Sequence, residues 1–331
     1  MSTRLALRPA PFVHAPTTSA GIMRQVFVAA IPLVLAATWF FGPSAPLVLG
    51  ACVAGAMLTE AAFFGRKALG DWSAALTGLL LGLTLPPGVP LWMAALGGAV
   101  AIGLGKLVFG GLGQNLFNPA LVGRAFLQAA FPTVLTTWSA PTGDGSDSWF
   151  RLGEATFAPP LMHVDAITSA TPLGLQKFEG ELTELGPLLL GNTAGSLGET
   201  SAVLILLAGL YLGWQRAFDW RIPVAVVVAV GLFSTGLWLL GDSHPPPTFM
   251  LASGGLLFGT VFMATDPVTS PTTPRGAVVF GVGIGLLVVL IRRFGGLPEG
   301  VMYAILLMNA ASPHIERFTQ PRPFGRDQAP R

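Results

Sequence analysis

Ten apolar stretches make up most of this 331-residue sequence, and they limit its fold more than any other feature. Several approach the roughly 20 residues that a helix needs to cross a bilayer. Hydrophobic residues form 52% of the chain and charged residues only 10%, which is too little charge to cover a soluble core of this size. We therefore predict an all-α integral membrane protein in a lipid bilayer. The stretches are 22–41, 45–64, 72–86, 90–109, 115–131, 199–215, 220–240, 248–264, 274–293 and 298–312.

Three of these stretches, 72–86, 115–131 and 298–312, are short and are marked by Pro or by Asn near their ends. Proline removes a backbone hydrogen bond from a helix and ends or kinks it. Broken helices of this kind often surround the binding sites of transporters near the middle of the bilayer. The sequence therefore predicts half-helices at these places.

The two groups of five stretches resemble each other. Phe-Gly-Gly-Leu occurs at 109–112 and again at 294–297, after the fourth stretch of each group. Gly-Leu-Leu-Leu-Gly at 78–82 has a counterpart in Gly-Leu-Leu-Phe-Gly at 255–259. Because five is an odd number, the second group must enter the membrane from the opposite side. The pattern predicts about ten transmembrane helices in two inverted five-helix repeats.

Arginine and lysine are distributed asymmetrically around these stretches. Ten spans with the N-terminus inside place only Arg292 and Arg293 on short external connections. The cytoplasmic ends carry Arg4, Arg8, Arg24, Arg66, Lys67, Lys106, Arg216, Arg221, Arg275, Arg317, Arg322, Arg326 and Arg331. This positive-inside bias predicts that both termini are cytoplasmic. The predicted regions are a cytoplasmic segment 1–21, a first repeat 22–131, an external segment 132–198, a second repeat 199–312 and a cytoplasmic tail 313–331.

The external segment contains one motif with a chemical meaning, Asp-Ala-Ile-Thr-Ser-Ala-Thr-Pro-Leu at 165–173. It resembles the acceptor motif of flavin transferases, which move FMN from FAD onto a threonine hydroxyl as a phosphodiester. Thr171 supplies the nucleophile on what we expect to be an exposed loop, and Pro172 discourages a continuing helix before it. The alternative is an ordinary turn rich in Ser and Thr. The flavin-binding candidates of the motif are Asp165, Thr168, Ser169, Ala170 and Thr171.

Three further segments carry a resemblance to a known family. They are Phe-Asn-Pro-Ala-Leu-Val-Gly-Arg-Ala-Phe at 117–126, Thr-Asp-Pro-Val-Thr-Ser-Pro at 265–271, and the residues 19–23 before the first span. Together with the motif at Thr171, they make the chain similar, nearly end to end, to D subunits of Rnf electron-transport complexes. That family is related to the B subunit of the sodium-pumping NADH:quinone reductase. Ser169 departs from the family pattern, which more often has Gly there.

The resemblance implies a fold, cofactors and partners. The fold is two inverted five-helix halves whose broken helices resemble those of urea transporters. The cofactors are FMN joined covalently to Thr171 and a second, non-covalent flavin, riboflavin, among the helices. The partners are three further membrane subunits, one with another covalent FMN, two iron–sulfur or flavin subunits on the cytoplasmic side, and the maturing flavin transferase. The location is the bacterial inner membrane, with the flavin segment in the periplasm.

Ionisable residues inside a membrane are costly and usually face the interior of the bundle. Arg124 follows Asn118, where a proline starts a half-helix with free N–H groups and a positive dipole end. With Asp266 at the second break, these residues are candidates to hold the inner flavin or an anion. The alternatives are structural: Arg124 satisfies carbonyls of a broken helix, and Asp266 caps the next helix. Glu60 and Lys106 lie near span ends and are predicted to extend to the membrane interface.

Several function classes remain open or are excluded. An electron carrier in a complex that moves Na⁺ or H⁺ is predicted, with no catalytic residue or metal ligand of its own. A passive channel or transporter and a scaffold without cofactor are the alternatives, and the acceptor Thr171 argues against both. No basic stripe with interleaved aromatic residues is present, which argues against nucleic-acid binding. Cys52 is the only cysteine, so this chain cannot hold an iron–sulfur cluster by its own thiolates.

Overall fold

A computed structural model describes residues 18–141, 152, 155–160, 169–199, 201–241 and 244–321. This part of the chain is mostly helical and contains no strand. Its first half contains α1 (Ser19–Phe41), α2 (Ser44–Phe64), a 3₁₀ turn (Arg66–Asp71), α3 (Ser73–Leu83), α4 (Leu91–Ile102) with a π-helical extension (Gly103–Leu107), α5 (Pro119–Ala130) and α6 (Pro132–Leu135). The connecting segment contains α7 (Pro172–Gly174) with a π-helical extension (Leu175–Glu179) and α8 (Leu185–Leu190). The second half contains α9 (Ala202–Trp214), α10 (Arg221–Leu239), α11 (Pro247–Ala252), α12 (Leu256–Phe258) with a π-helical extension (Gly259–Met263), α13 (Pro274–Phe294) and α14 (Val301–Thr319).

Four helices, α1, α2, α10 and α13, are long and apolar enough to cross a bilayer. They have 19–23 residues each and mean hydropathies of 1.8–2.1. The helices α3 and α9, and α4 with its extension, are shorter but also apolar. Each of the ten predicted stretches contains at least one helix. These observations confirm the predicted class, an all-α membrane protein.

Three helices begin with the same local device. Asn118-Pro119 starts α5, Thr171-Pro172 starts α7 and Thr273-Pro274 starts α13. In each case the Asn or Thr side chain accepts a hydrogen bond from a backbone N–H of the first turn. Proline suits the next position because the N–H that it lacks would have no partner there. Residues adjacent in the sequence therefore fix where these helices begin.

The predicted breaks are found in part. The helix α3 has 11 residues and α5 has 12, so both are short, as predicted. The prediction of a broken helix at 298–312 is wrong, because α14 is a continuous helix of 19 residues with Pro313 inside it. Its last turns are held by a hydrogen bond of 2.6 Å between the Thr319 and Thr273 hydroxyls. This anchor extends the helix beyond the apolar stretch.

The broken helix of the second half lies at 248–264 instead. The chain leaves the helical conformation at 253–255, between α11 and α12. Gly254 has a φ of +64°, a left-handed conformation that residues with a Cβ rarely adopt. The π-helical extension of α12 follows directly. The second half therefore has its discontinuity two apolar stretches earlier than predicted.

Within each half, helices pack closely against each other. In the first half α2 packs on α4 and α3, and in the second half α10 packs on α13 and α11. A Cβ on Gly98 would overlap the carbonyl oxygen of Cys52, and one on Gly281 would lie 2.9 Å from that of Ile222. Small residues at such positions let helix backbones approach closely. Glycines at 281, 283 and 285 within one apolar stretch predict close helix packing, and the contact at Gly281 confirms it.

We expect Gly98→Ala to destabilise the protein, because its methyl group would overlap the α2 backbone. Gly50→Ala is the matched control, since nothing lies within 4 Å of its Cβ position in α2. Gly50→Ala should raise the free energy of unfolding by up to about 1 kcal/mol, because alanine favours a helix more than glycine does. Thermal unfolding of the purified protein in detergent measures both variants. Equal melting temperatures for the two variants would contradict the close contact.

Candidate functional site

The predicted acceptor segment, residues 165–179, enters the described part of the chain at Ser169. Asp165 and Thr168, the first half of the motif, lie outside the described residues. The Ser169 N–H donates a hydrogen bond of 2.8 Å to the carbonyl oxygen of Trp138. Ala170 is exposed. The segment is thus tied at this point to the chain that follows α6.

Thr171 is buried, which corrects the prediction of an acceptor hydroxyl on an exposed loop. The residue is only 9% exposed. Its hydroxyl accepts a hydrogen bond of 3.1 Å from the Gly174 N–H and so caps α7. Leu173 then packs into a small apolar cluster with Leu188 and Phe249. The Thr171 hydroxyl is therefore largely shielded from solvent in this conformation.

Lys177 fastens the acceptor segment to the end of α13. Its ammonium group donates hydrogen bonds to the carbonyl oxygens of Arg292 (3.1 Å), Gly295 (2.6 Å) and Leu297 (2.9 Å). Carbonyl groups at a helix C-terminus lack intrahelical partners, so a lysine is well placed to satisfy them. Burial and the nearby charge of Arg293 lower the pKa of the Lys177 ammonium. Lys177 is therefore the anchor that positions the residues following Thr171.

We expect Lys177→Met to loosen the acceptor segment, because three carbonyl oxygens lose their donor. The free energy of local opening should fall by about 1–3 kcal/mol. Hydrogen exchange of the amides at 172–179, followed by mass spectrometry, measures this opening. Lys177→Arg is the control and should retain most of the protection. Unchanged exchange in Lys177→Met would show that the anchor is dispensable.

Asn118 and Asn309 meet in space although 191 residues separate them in the chain. The side-chain oxygen of Asn118 accepts from the first N–H groups of α5, and its amide donates to the carbonyl oxygen of Met263 at 3.3 Å. The Asn118 N–H donates to the side-chain oxygen of Asn309 at 3.4 Å. The Asn309 amide donates to the carbonyl oxygen of Thr269 at 3.2 Å. Both asparagines therefore bind backbone groups of the irregular chain between α12 and α13.

Asp266 shapes that irregular segment. Its carboxylate accepts hydrogen bonds from the Val268 N–H at 3.2 Å and from the Thr269 hydroxyl at 3.4 Å. It thus stabilises its own turn, while Thr273 caps the following helix α13. The alternative prediction, that Asp266 caps the next helix, is therefore wrong, although Asp266 does bond to a nearby backbone N–H.

A cavity opens beside these residues, at the N-terminal end of α5. Asn118 and Asp266 line it together with Asn115 and Lys106. Most of the remaining lining is apolar, including Ile22, Val26, Leu76, Leu80, Phe218, Val261 and Phe262. Ligand pockets commonly combine such apolar walls with a few fixed polar groups. This cavity brings together two of the three predicted inner candidates.

Arg124 lies elsewhere, although it belongs to the same helix as the cap Asn118. Its guanidinium donates to the carbonyl oxygen of Thr84, at the end of α3, and lies 3.4 Å from the Glu299 carboxylate. It lines a second cavity with Trp138 and Tyr303. Six helical residues correspond to about 9 Å along the axis and most of a turn beyond one full rotation, so the two side chains diverge. The bond to the Thr84 carbonyl is the contact that the structural alternative predicted for Arg124.

Lys106 and Glu60 correct a second prediction. Both are buried, with 3% and 1% of their side chains exposed, and neither extends to an interface. The Lys106 ammonium donates to the Glu60 carboxylate and to the Ser73 hydroxyl, and Asp71 lies 3.9 Å away. Lys106 belongs to the π-helical extension of α4, a type of irregularity that is frequent at functional sites. The ion pair joins α2 to α4 beside the cavity at the N-terminal end of α5.

Two acidic residues near Thr171 were not singled out from the sequence. Glu199 and Glu299 both line a cavity with Thr171 and Gly254. They lie at the beginning of the apolar stretches 199–215 and 298–312, in Gly-Glu-Thr and in Pro-Glu-Gly. The sequence could have identified them, because an isolated acidic residue at the start of an apolar stretch is costly in a membrane and often functional.

These features define a class: a helical membrane protein with broken helices, a buried ion pair and a segment containing Thr171 that is anchored on the helices. The family model described as NQR2, RnfD, RnfE matches residues 6–325. The chain belongs to this family.

Three relatives illustrate the similarity. The D subunit of the proton-translocating ferredoxin:NAD(+) oxidoreductase complex of Clostridium ljungdahlii is 40% identical, over 95% of this chain and 94% of its own. The D subunit of the ion-translocating oxidoreductase complex of Stutzerimonas stutzeri is 42% identical, over 92% of each chain. The D subunit of the Na(+)-translocating ferredoxin:NAD(+) oxidoreductase complex of Acetobacterium woodii is 38% identical, over 97% of this chain and 95% of its own. The similarity therefore extends over whole subunits.

Proposed function

We propose that this chain is the D-type membrane subunit of an ion-translocating ferredoxin:NAD⁺ oxidoreductase complex, and that it carries FMN on Thr171. The observation that carries the proposal is the acceptor motif in a chain that matches D subunits over nearly its full length. In the attachment step the pyrophosphate bond of FAD breaks and AMP leaves. The Thr171 oxygen forms the new bond to phosphorus and loses its proton. The subunit passes electrons within the complex and catalyses no reaction alone.

The proposed topology has ten membrane crossings in two inverted repeats. Its support is the equivalence of contacts: α2 packs on α4 as α10 packs on α13, while α1 meets α9 and α5 meets α14 across the halves. These are the pairings expected when first helices meet first helices and fifth meet fifth around a pseudo-two-fold axis. Both termini then face the cytoplasm, and the acceptor segment faces the periplasm from the inner membrane.

The cavity at the N-terminal end of α5 is proposed to hold the second flavin, riboflavin. The side chains present fit a flat ring with polar groups on its edge, because amides and an ammonium group line the cavity among mostly apolar residues. Asn115, Asn118, Lys106 and Asp266 would hold its polar groups. A bound flavin would supply one-electron chemistry at this place. Lys106 brings an ammonium group to the cavity wall, where it is paired with Glu60.

The partners follow from the same proposal. We infer assembly with other Rnf-type membrane subunits and with iron–sulfur or flavin subunits on the cytoplasmic side, and maturation by a flavin transferase. The coupling ion is Na⁺ or H⁺; the relatives from Acetobacterium woodii and Clostridium ljungdahlii are named for one each. Moving one charge against 100 mV costs about 2.3 kcal/mol, which the redox reaction must supply.

The test is to produce the protein with and without a flavin transferase. Covalent FMN survives denaturation, so the denatured band should fluoresce under ultraviolet light only when the transferase is present. Mass spectrometry of the peptide that contains residue 171 should show the added FMN. A bare polypeptide mass in protein made with an active transferase would reject the electron-carrier function and favour a channel-like bundle.

A further inference from the structure

Two carboxyl side chains meet beneath the acceptor segment. Glu199 lies in the connection that precedes α9, and Glu299 lies just before α14. Both carboxyl groups lie against the backbone of Gly255, whose N–H lies 3.3 Å from a Glu299 oxygen and whose Cβ position lies 2.5 Å from a Glu199 oxygen. Both residues line the cavity that contains Thr171, and both line the second cavity, which contains Arg124. The pair therefore stands between the acceptor threonine and the buried arginine of α5.

The irregular chain at 253–255 creates room for this pair. The Gly255 N–H donates a hydrogen bond of 3.3 Å to the Glu299 carboxylate. A Cβ on Gly255 would lie 2.5 Å from a Glu199 oxygen, and one on Gly254 would lie 2.8 Å from a Glu299 oxygen. The break between α11 and α12 thus places backbone, not side chains, against both carboxyl groups. Any larger residue at these glycines would separate them.

Unpartnered polar groups surround the same break. Arg292 is only 5% exposed, and its Nε has no hydrogen-bond partner among the described residues. Its Nη2 lies 3.3 Å from the Cβ position of Gly254, the point that the Glu299 oxygen also approaches. The Ser253 hydroxyl is fully buried and likewise lacks a partner within the described chain. Unsatisfied buried groups of this kind indicate a place for a further ligand or proton.

The charges around the pair are unequal. Arg124 lies 3.4 Å from Glu299, whereas no described cation lies within 4.0 Å of Glu199. The Arg292 terminal nitrogens are occupied by the carbonyl oxygens of Met250 (2.6 Å) and Ser253 (2.9 Å). Two adjacent carboxylates that share one direct cation cannot both remain ionised cheaply. A proton held between the two groups resolves the conflict.

The titratable groups that face the pair are few. They are Arg124 from α5, Arg292 from α13 and Tyr303 from α14; the other described residues that line the two cavities are not titratable. The charge of Arg124, 3.4 Å from Glu299, favours the ionised form of Glu299, and Glu199 has no such direct cation among the described residues. Glu199 is therefore the member of the pair that gains the proton first.

We propose that Glu199 and Glu299 form a binding site for one proton, which exchanges with water outside the membrane through the cavity beside Thr171. Glu199 becomes a neutral acid that donates a hydrogen bond to the Glu299 carboxylate; no electron moves in this step. The proton site requires no flavin. A bound proton would also neutralise part of the negative charge that a flavin on Thr171 gains on reduction. This consequence rests on the proposed function.

Infrared spectroscopy of the purified, oxidised complex tests the site. The carbonyl stretch of a protonated carboxylic acid should titrate with pH in the wild type, equivalent to one acid group of this subunit. Glu199→Gln should lose that band, and Glu299→Gln should weaken it or shift the pH at which it titrates. Glu184→Gln is the matched control, because Glu184 is an exposed acid of the same external segment. It should leave the band unchanged.

The outcomes separate this site from the flavin. A band that persists in Glu199→Gln, in protein with wild-type melting behaviour, overturns the proposal. Loss of the wild-type band on adding NaCl, but not choline chloride, also overturns it and assigns a metal cation instead. The same titration in Thr171→Val protein should still show the band. If the wild type carries no covalent flavin but retains the band, the electron-carrier function fails while the proton site stands.

Discussion

Thr171→Val should abolish covalent flavin completely. Valine keeps the size and branching of threonine but has no hydroxyl to attack phosphorus, so the reaction cannot begin. In protein made with a flavin transferase, fluorescence of the denatured band should fall from the wild-type level to background. The mass of the peptide containing residue 171 should equal that of the unmodified sequence. Electron transfer through the complex should be lost to the same extent.

Thr193→Val is the matched control for this experiment. Thr193 lines the same cavity as Thr171, but it lies outside the acceptor motif. It should retain full fluorescence. Valine at position 171 also removes the cap of α7, so the melting temperature of both variants must be compared with the wild type. Thr171→Val protein that fluoresces as strongly as Thr193→Val would place the flavin on another residue.

The second large effect is expected at the buried ion pair. Lys106→Met should lower the free energy of unfolding by about 3–5 kcal/mol, because it leaves a buried carboxylate without its cation. The Glu60 carboxylate is 1% exposed and has no other cationic partner among the described residues. The Ser73 hydroxyl would lose its donor as well. Thermal or denaturant unfolding in detergent measures the loss.

Two further variants show whether the effect belongs to the pair. Lys67→Met removes an exposed lysine close to the same helices and should change stability little. The double variant Glu60→Gln/Lys106→Met removes both charges and should recover part of the loss, since a neutral buried pair avoids the uncompensated charge. If Lys106→Met unfolds like Lys67→Met, the ion pair contributes nothing to stability.

The sequence predicted several local features well. The helix start at Asn118-Pro119 depends on a side chain that bonds to backbone groups two or three residues away. The close approach at Gly281 follows from the absence of a side chain on an apolar helix. The divergence of Asn118 and Arg124 along α5 was not predicted, although helical geometry alone required it.

Other features could not be predicted from neighbours in the sequence. Thr171 was expected to be exposed, and it is buried because Leu173 and Lys177 dock the segment on distant helices. A break was expected at 298–312 because of Pro298 and Asn309, but Pro298 lies before the helix and the Asn309 side chain bonds to the distant Thr269 carbonyl. Both depend on which surfaces come together.

The sequence by itself determined the solvent in which this chain folds, the positions of its helices and the candidate acceptor, since apolar length, local caps and a short motif are properties of adjacent residues. Only the tertiary structure decided which charges are paired. Lys106 meets Glu60, and Glu199 meets Glu299, because helices and connections far apart in the chain pack side by side. A charge in a membrane bundle is stabilised by the groups next to it in space, and the packing of the helices determines which groups those are.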